Sequence, residues 1–298
     1  MMLIAGTVPI RDLPLTMGRL ALDGDDLVVE GRRIPCAQGT GAMISAALAV
    51  ADYLKLEAPQ VLVAGDTGQG KGSREIYEYL IEKVGDISPQ VVALHYCLPI
   101  MALMNRLCES VQRGPRKVLM IADAGSMYAA KAAGLASRFD VFTPDAAEMA
   151  FLADPDATHP AYIARHLFDA DIGQTPDLVA AAYRHKNAAR LLLVKGAVDY
   201  VVDGGGIVAT VDEPDVPALE AVGGTGDTIT GLVAAFLYAG LEPQEAAIIA
   251  ARSNRMAGKF AGATPATRVR QIVEQLQAVF KEHLCQWSGV CCATGGQQ

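Results

Sequence analysis

Apolar and polar residues in this chain follow two periods that alternate from start to end. Short apolar runs at 61–64, 91–95, 118–122 and 191–195 read as buried strands. Two shorter runs, 26–30 and 141–142, read as further strands. Between them the apolar positions recur every three or four residues, which predicts helices over 41–54, 73–84, 100–112, 126–137 and 146–152. Residues 200–203 and 207–211 flank Gly204-Gly-Gly206 and predict a β-hairpin. Three helices, about 227–240, 243–261 and 266–283, close the pattern.

Strands that alternate with helices imply a mostly parallel central sheet covered on both faces, an α/β fold of three layers. No internal repeat and no low-complexity linker interrupts it. The polar stretch 154–175 predicts a loop or short helical excursion rather than a boundary. The expectation is one domain over 1–284. Residues 285–298 lack periodicity and read as an irregular tail or an intersubunit arm.

Composition narrows the function classes. Of the 298 residues, 51% are hydrophobic and 19% charged, enough for a large alanine-rich core. The net charge is −8 and no basic run occurs, which argues against nucleic acid and anionic membranes as partners. No window holds 18 consecutive apolar residues, and the first residues lack the pattern of a signal peptide. A cytoplasmic protein is expected. The six cysteines form no C-x-x-C pair and the five histidines do not flank them at ligand spacing. That pattern predicts reduced thiols rather than structural zinc.

The chemistry concentrates in Ala221-Val-Gly-Gly-Thr-Gly-Asp-Thr-Ile-Thr-Gly231, a glycine-rich turn leading into an apolar helix. Gly223, Gly224 and Gly226 allow a tight turn whose N–H groups converge, and the helix adds its positive dipole end. Gly224, Thr225 and Gly226 are therefore candidates for a phosphate cradle. Asp227 inside such a cradle would repel phosphate unless it serves as a base. The combination suggests phosphoryl transfer, with Asp227 taking the proton of an attacking hydroxyl. The alternative is an ordinary helix start with Asp as a capping residue.

Six motifs follow one another: Gly39-Thr-Gly-Ala, Gly65-Asp-Thr-Gly-Gln-Gly, Ile121-Ala-Asp-Ala, Thr143-Pro-Asp-Ala-Ala-Glu148, Val194-Lys-Gly-Ala197 and Gly223-Gly-Thr-Gly-Asp227. Their order resembles the ribokinase-like superfamily. Within it, the ADP/ATP-dependent NAD(P)H-hydrate dehydratase branch is most similar. The resemblance spans roughly 36–262, and its specific part is the Lys-Gly-Ala and Gly-Gly-Thr-Gly-Asp pair.

The resemblance implies an α/β/α sandwich that uses ATP or ADP to drive loss of water from hydrated nicotinamide cofactors. It implies Asp227 as the base, Lys195, Gly196 and Gly223 on the nucleotide side, and Mg2+ organised through Glu148. It places Gly39, Gly41, Asp66, Gly68, Asp123 and Asp145 on the substrate side, and it implies homo-oligomers. Local alternatives remain: Lys195 as a snorkelling surface cation, Asp123 as a helix cap and Glu148 as a solvated helix residue. The chain departs from the branch where Asp145 replaces a histidine and where Gly65-Asp-Thr-Gly-Gln-Gly replaces Gly-Pro-Gly-x-Gly.

Two other functions fit the sequence less well. A kinase of a small hydroxylated metabolite would use the same Asp227 and stop after transfer. A non-catalytic nucleotide-binding protein would keep the fold alone. A P-loop is nearly spelled by Gly65-Asp-Thr-Gly-Gln-Gly-Lys71-Gly, but Gly72 stands where a magnesium-binding hydroxyl is required.

Overall fold

The computed structural model describes residues 1–24, 26–158 and 175–290. Among them, eleven strands form one sheet. They are β1 (Met2–Val8), β2 (Thr16–Asp23), β3 (Asp26–Val29), β4 (Arg32–Pro35), β5 (Gln60–Gly65) and β6 (Val91–His95). The others are β7 (Leu119–Asp123), β8 (Val141–Phe142), β9 (Leu191–Val194), β10 (Asp199–Asp203) and β11 (Gly206–Val211). Their order is β11-β10-β9-β8-β7-β6-β1-β5-β2-β3-β4. The centre, from β9 to β5, is parallel. Antiparallel strands extend both ends, β2–β4 on one side and β10–β11 on the other.

The sheet is a middle layer because its central strands bury both faces. Along β1, Met2 and Ile4 enter one core while Leu3 and Ala5 enter the other. Val61 and Val63 of β5 likewise oppose Leu62 and Ala64. That is the period of two expected of a strand, with apolar residues at every position. Each fully buried aliphatic side chain contributes about 1.5–3 kcal/mol, so such strands are strongly held.

One face carries α1 (Thr40–Tyr53), with the late helices Thr225–Tyr238 and Pro243–Phe260. The other carries α2 (Lys71–Ile87), α3 (Met101–Arg113), α4 (Ala124–Ala132), α5 (Ala146–Ala153) and α6 (Thr175–Arg184). The late pair follow as α7 (Thr225–Tyr238) and α8 (Pro243–Phe260). α1 and α7 cross so closely that a Cβ on Gly231 would lie 2.1 Å from the Met43 carbonyl oxygen. This contact fixes the two helix starts relative to each other.

Several elements depart from the sequence reading. Met2–Val8 is the buried centre of the sheet, whereas no element was expected there. Its run lacks polar alternation, which is how a strand covered on both faces reads. β2, β4 and α6 were also not anticipated. The predicted hairpin is present as β10 and β11. The predicted helix over 126–137 ends at Ala132, followed by Gly134 with φ of 69° and a short 3₁₀ turn.

Most of the predicted loop 154–175 lies outside the described residues, as do residues 291–298. The final helix is broken into short segments, and Cys285–Ser288, expected to be irregular, is helical. Cys36, Cys97 and Cys108 are free thiols, but Cys285 is disulfide-bonded, which corrects the expectation of reduced cysteines throughout. Among the described residues, no helix is long and apolar enough to cross a membrane.

Candidate active site

Parallel register brings the carboxyl ends of the central strands into one row, the edge where open α/β sheets bind ligands. His95 at the end of β6 pairs with Asp123 at the end of β7 and with Gly6 of β1. Lys195 follows β9 directly. The Lys195 Nζ donates to both Asp123 oxygens, at 3.1 and 3.0 Å. Thr230 of α7 donates to Asp123 Oδ2 at 2.6 Å, and its hydroxyl meets that of Thr143 at 2.8 Å. Asp123 also caps α4 by accepting from the Ala124 N–H at 2.9 Å. Asp123 is therefore a helix cap and the partner of Lys195, which ties up the carboxylate expected on the substrate side.

The glycine-rich turn opens onto the same row. Gly224 is the residue before α7 and has φ of 102°. A side chain there would be strained and would crowd the Gln38 backbone and Val269 at 3.1 Å. The Thr225 hydroxyl closes the turn on the Leu219 and Val222 carbonyls, both at 3.0 Å. The N–H groups of Gly226 and Asp227 belong to the first helical turn, where no intrahelical acceptor exists. Gly226 lies beneath the Lys195 side chain, and a Cβ there would be 3.5 Å from Nζ. The helix start at Thr225 and Gly226, with Lys195, lines one cavity of about 350 Å³, while Gly223 and Gly224 face a second.

Asp227 stands where that cavity meets a second one of about 430 Å³, lined by Thr7, Gln38, Gly39, Tyr96, Gly223 and Asp66. Asp227 and Tyr96 line both. The Asp227 side chain is only 14% exposed. Its Oδ2 accepts from the Gly39 N–H at 2.7 Å, and its Oδ1 lies 3.0 Å from His95 Nε2. Burial alone would raise the carboxyl pKa. The hydrogen bond and charge of His95, with Lys195 and the Gly39 N–H, outweigh it and hold Asp227 below the usual carboxylate range. Asp227 is thus an ionised carboxylate aimed between two cavities.

Asp145 and Glu148 line the first cavity from α5. They form a capping box: the Glu148 N–H donates to Asp145 Oδ1 at 2.8 Å and the Asp145 N–H to Glu148 Oε2 at 2.9 Å. The Tyr128 hydroxyl donates to Glu148 Oε1 at 2.6 Å. Glu148 is buried rather than solvated. Burial first, then the charges of Asp145 and Asp123, push its carboxyl up to about 8. Lys195 is largely shielded too, its side chain 12% exposed, which lowers its affinity for a proton. The charges of Asp123, Glu148, Asp145 and Asp227 more than offset this and keep it firmly protonated.

The substrate-side candidates separate. Gly39 lines the second cavity. Gly41 instead packs against the Pro35 carbonyl, where a Cβ would lie 2.3 Å away. The Asp66 carboxylate accepts the N–H groups of Gly68, Gln69, Gly70 and Ser73, all at 3.0 Å, and the Ser73 hydroxyl at 2.9 Å. Those amides are the nest a P-loop would offer to phosphate, and Asp66 fills it. Lys71 points outward, 85% exposed, toward Glu75. Gly196 lies in a loop clamped by buried Arg255, which pairs with Asp199 at 2.7 Å and donates to the Gly196 and Ala197 carbonyls.

Sequence reasoning passed over His95, Thr40, Tyr96, Thr230 and Arg255. One signal was available for His95: a polar residue ending an apolar parallel strand sits on the ligand edge. Tyr96, with φ of 53° and an exposed ring edge-on to His95 at 4.4 Å, gave no sequence signal.

Comparison with known proteins identifies the family and the fold. The NAD(P)H-hydrate dehydratase family model matches residues 55–277. An uncharacterised protein of Methanocaldococcus jannaschii is 34% identical over 242 residues, 81% of this chain and 100% of that one. The ADP-dependent (S)-NAD(P)H-hydrate dehydratase of Xanthomonas campestris pv. campestris is 29% identical over 271 residues, 86% of each chain. The solved ADP/ATP-dependent NAD(P)H-hydrate dehydratase of Bacillus subtilis superposes with a TM-score of 0.58 over 94% of this chain and 92% of its own, at 13% identity, and shows the shared fold.

Proposed function

The chain belongs to the NAD(P)H-hydrate dehydratase family, and from that premise we propose that it is a lyase that uses ADP or ATP to remove water from hydrated NAD(P)H. The observation that supports this most is the position of Asp227 between two cavities. The nucleotide would lie on the side of Thr225, Gly226, Lys195 and Gly196, whereas Gly223 and Gly224, expected on that side, line the second cavity. The hydrated nicotinamide ring would lie on the side of Gly39, Tyr96 and Asp66. Of the remaining substrate-side candidates, Asp123 is committed to Lys195, Asp145 lines the first cavity beside Glu148 rather than the second, and Gly41 and Gly68 support local backbone.

The chemistry then follows from the groups present. Asp227 accepts the proton of the ring hydroxyl while the hydroxyl oxygen bonds to the terminal phosphorus of the nucleotide. The bond from that phosphorus to the rest of the nucleotide breaks. Charge developing on the phosphoryl oxygens faces the Gly226 and Asp227 amides, the start of α7 and Lys195, fixed before the reaction begins. The hydroxyl has now become a phosphate ester. Phosphate and a ring proton leave, and the reduced nicotinamide ring is restored.

Glu148 fits a role in holding magnesium. It is buried beside Asp145 and Asp123, an acidic group short of positive charge, and hard cations take oxygen ligands. Both its oxygens already accept hydrogen bonds, so Glu148 with Asp145 would hold the ion through water. Magnesium would neutralise phosphate charge.

We further propose a single catalytic domain over 1–284, acting in the cytoplasm. Self-association is supported by exposed Leu22, Ile207 and Val208 on strands at opposite ends of the sheet.

The test is incubation with hydrated NADH and ADP or ATP, following both reduced nicotinamide and free phosphate. Equal amounts of the two support the reading. A stable phosphorylated product without recovered NADH would assign kinase chemistry instead.

A further inference from the structure

We propose that His95 is the positioning residue of this site: protonated on both ring nitrogens, it keeps Asp227 ionised and aimed at the substrate hydroxyl. The inference rests on reading Asp227 as the base.

The proton count comes from three contacts. The Thr40 hydroxyl has a single proton and two close neighbours, the Thr7 carbonyl oxygen at 2.6 Å and His95 Nδ1 at 3.0 Å. A carbonyl only accepts, so the hydroxyl proton lies toward Thr7. Thr40 then offers His95 a lone pair, and Nδ1 must donate. On the other side Nε2 faces Asp227 Oδ1 at 3.0 Å. An ionised carboxylate also only accepts, so Nε2 donates as well. An imidazole that donates from both nitrogens is a cation.

The surroundings support a cation here. The His95 side chain is 0% exposed, and a buried charge needs a counter-charge. Asp227 reaches it from α7, and Asp123 Oδ2 from β7 lies 3.8 Å from Nε2. Lys195, following β9, pairs with Asp123. From α1 come only the Thr40 hydroxyl and the Gly39 N–H, and Tyr96 adds its ring. Asp123 and Asp227 therefore each face a cation, Lys195 and His95 respectively.

The same contacts give His95 its effect. A carboxylate rotates freely unless both oxygens are held. The Gly39 N–H holds Oδ2 and His95 holds Oδ1, leaving the remaining lone pairs for the cavities. His95 touches Asp227 and not the substrate. Its loss should lower turnover while leaving nucleotide binding in place.

Two variants separate the contacts. In His95→Gln the amide can reach Asp227 as Nε2 does. In His95→Asn it can reach Thr40 as Nδ1 does, but not Asp227. We expect His95→Gln to keep kcat within about tenfold of the parent. We expect His95→Asn to lose about a hundredfold in kcat, with an unchanged KM for nucleotide and a Tm close to that of His95→Gln. His95→Asn turning over as fast as His95→Gln would overturn the inference.

A second measurement needs no substrate. Nitrogen-15 spectra of the histidine-labelled enzyme should show both His95 ring nitrogens protonated at neutral pH. The Nε2 signal should shift in Asp227→Asn. An unprotonated Nδ1 or Nε2 would overturn the inference even if the enzyme is an active dehydratase. Two protonated nitrogens in an enzyme without dehydratase activity would support the proton count and sink only the choice of reaction.

Discussion

The backbone N–H of Gly39 donates to Oδ2 of Asp227 at 2.7 Å, joining residues 188 positions apart. Gly39 immediately precedes α1 and Asp227 lies in the first turn of α7, so two helix starts meet on one carboxylate. Both helices direct positive dipole ends at this point. An acid held this way stays ionised while an anionic nucleotide occupies the neighbouring cavity.

Lys195 is the cation that makes buried Asp123 tolerable. Replacing it by Met should destabilise the protein by about 3–5 kcal/mol, because Asp123 is left unpaired in the interior. Nucleotide affinity should fall as well. The double variant with Asp123→Asn should recover most of the stability but not the affinity. Thermal melts and nucleotide titrations check both points. Full recovery of affinity in the double variant would show that Lys195 serves Asp123 alone.

Gly224→Ala tests the turn. With φ of 102°, alanine there should cost about 1–3 kcal/mol from backbone strain, before its contacts with Gln38 and Val269 are counted. Nucleotide binding should weaken in parallel, because the amides of Gly226 and Asp227 shift. Unaltered binding and an unaltered Tm would mean that the turn is not a fixed cradle.

Glu148 gives the site a pH signature. Its carboxyl ordinarily titrates near 4.5 and is pushed up to about 8 here. Between those values the unfolded chain has released this proton and the folded chain still holds it. Its contribution to stability therefore declines as pH rises through that window. The ligand-free protein should show a falling Tm from about pH 5 to 8, as stability drops on the order of a few kcal/mol. Glu148→Gln should flatten that part of the profile. An equal slope in the variant would assign the pH dependence elsewhere.

Lys71→Ala should change nothing that matters. The side chain is exposed, and the neighbouring amides are already taken by Asp66. Stability should stay within about 0.5 kcal/mol. Nucleotide affinity should match the parent protein. A large loss of affinity would revive the P-loop reading.

The parts legible in the sequence were those encoded locally. Gly223 to Asp227 announces a glycine turn before a helix, and Lys195 and Asp123 each end or follow an apolar strand. Contacts made across the chain were not legible. His95 meets Asp227 over 132 positions, and nothing near either residue encodes that meeting. Asp66 shows a different limit. Its surrounding glycines look like an anion nest, but a sequence does not distinguish a nest open to ligand from one closed by its own carboxylate. β1 escaped notice because Met2–Val8 has no strand alternation and contains Gly6, although Pro9 marks its end.

The central claim is that Asp227 removes the proton of the substrate hydroxyl during nucleotide-driven dehydration. It is tested most directly by measuring NADH recovered from hydrated NADH by the parent enzyme and by Asp227→Asn, alongside nucleotide affinity for each. We expect turnover to fall by about 10²- to 10⁴-fold in the variant, with nucleotide affinity preserved. Recovery at the parent rate by Asp227→Asn would contradict the account.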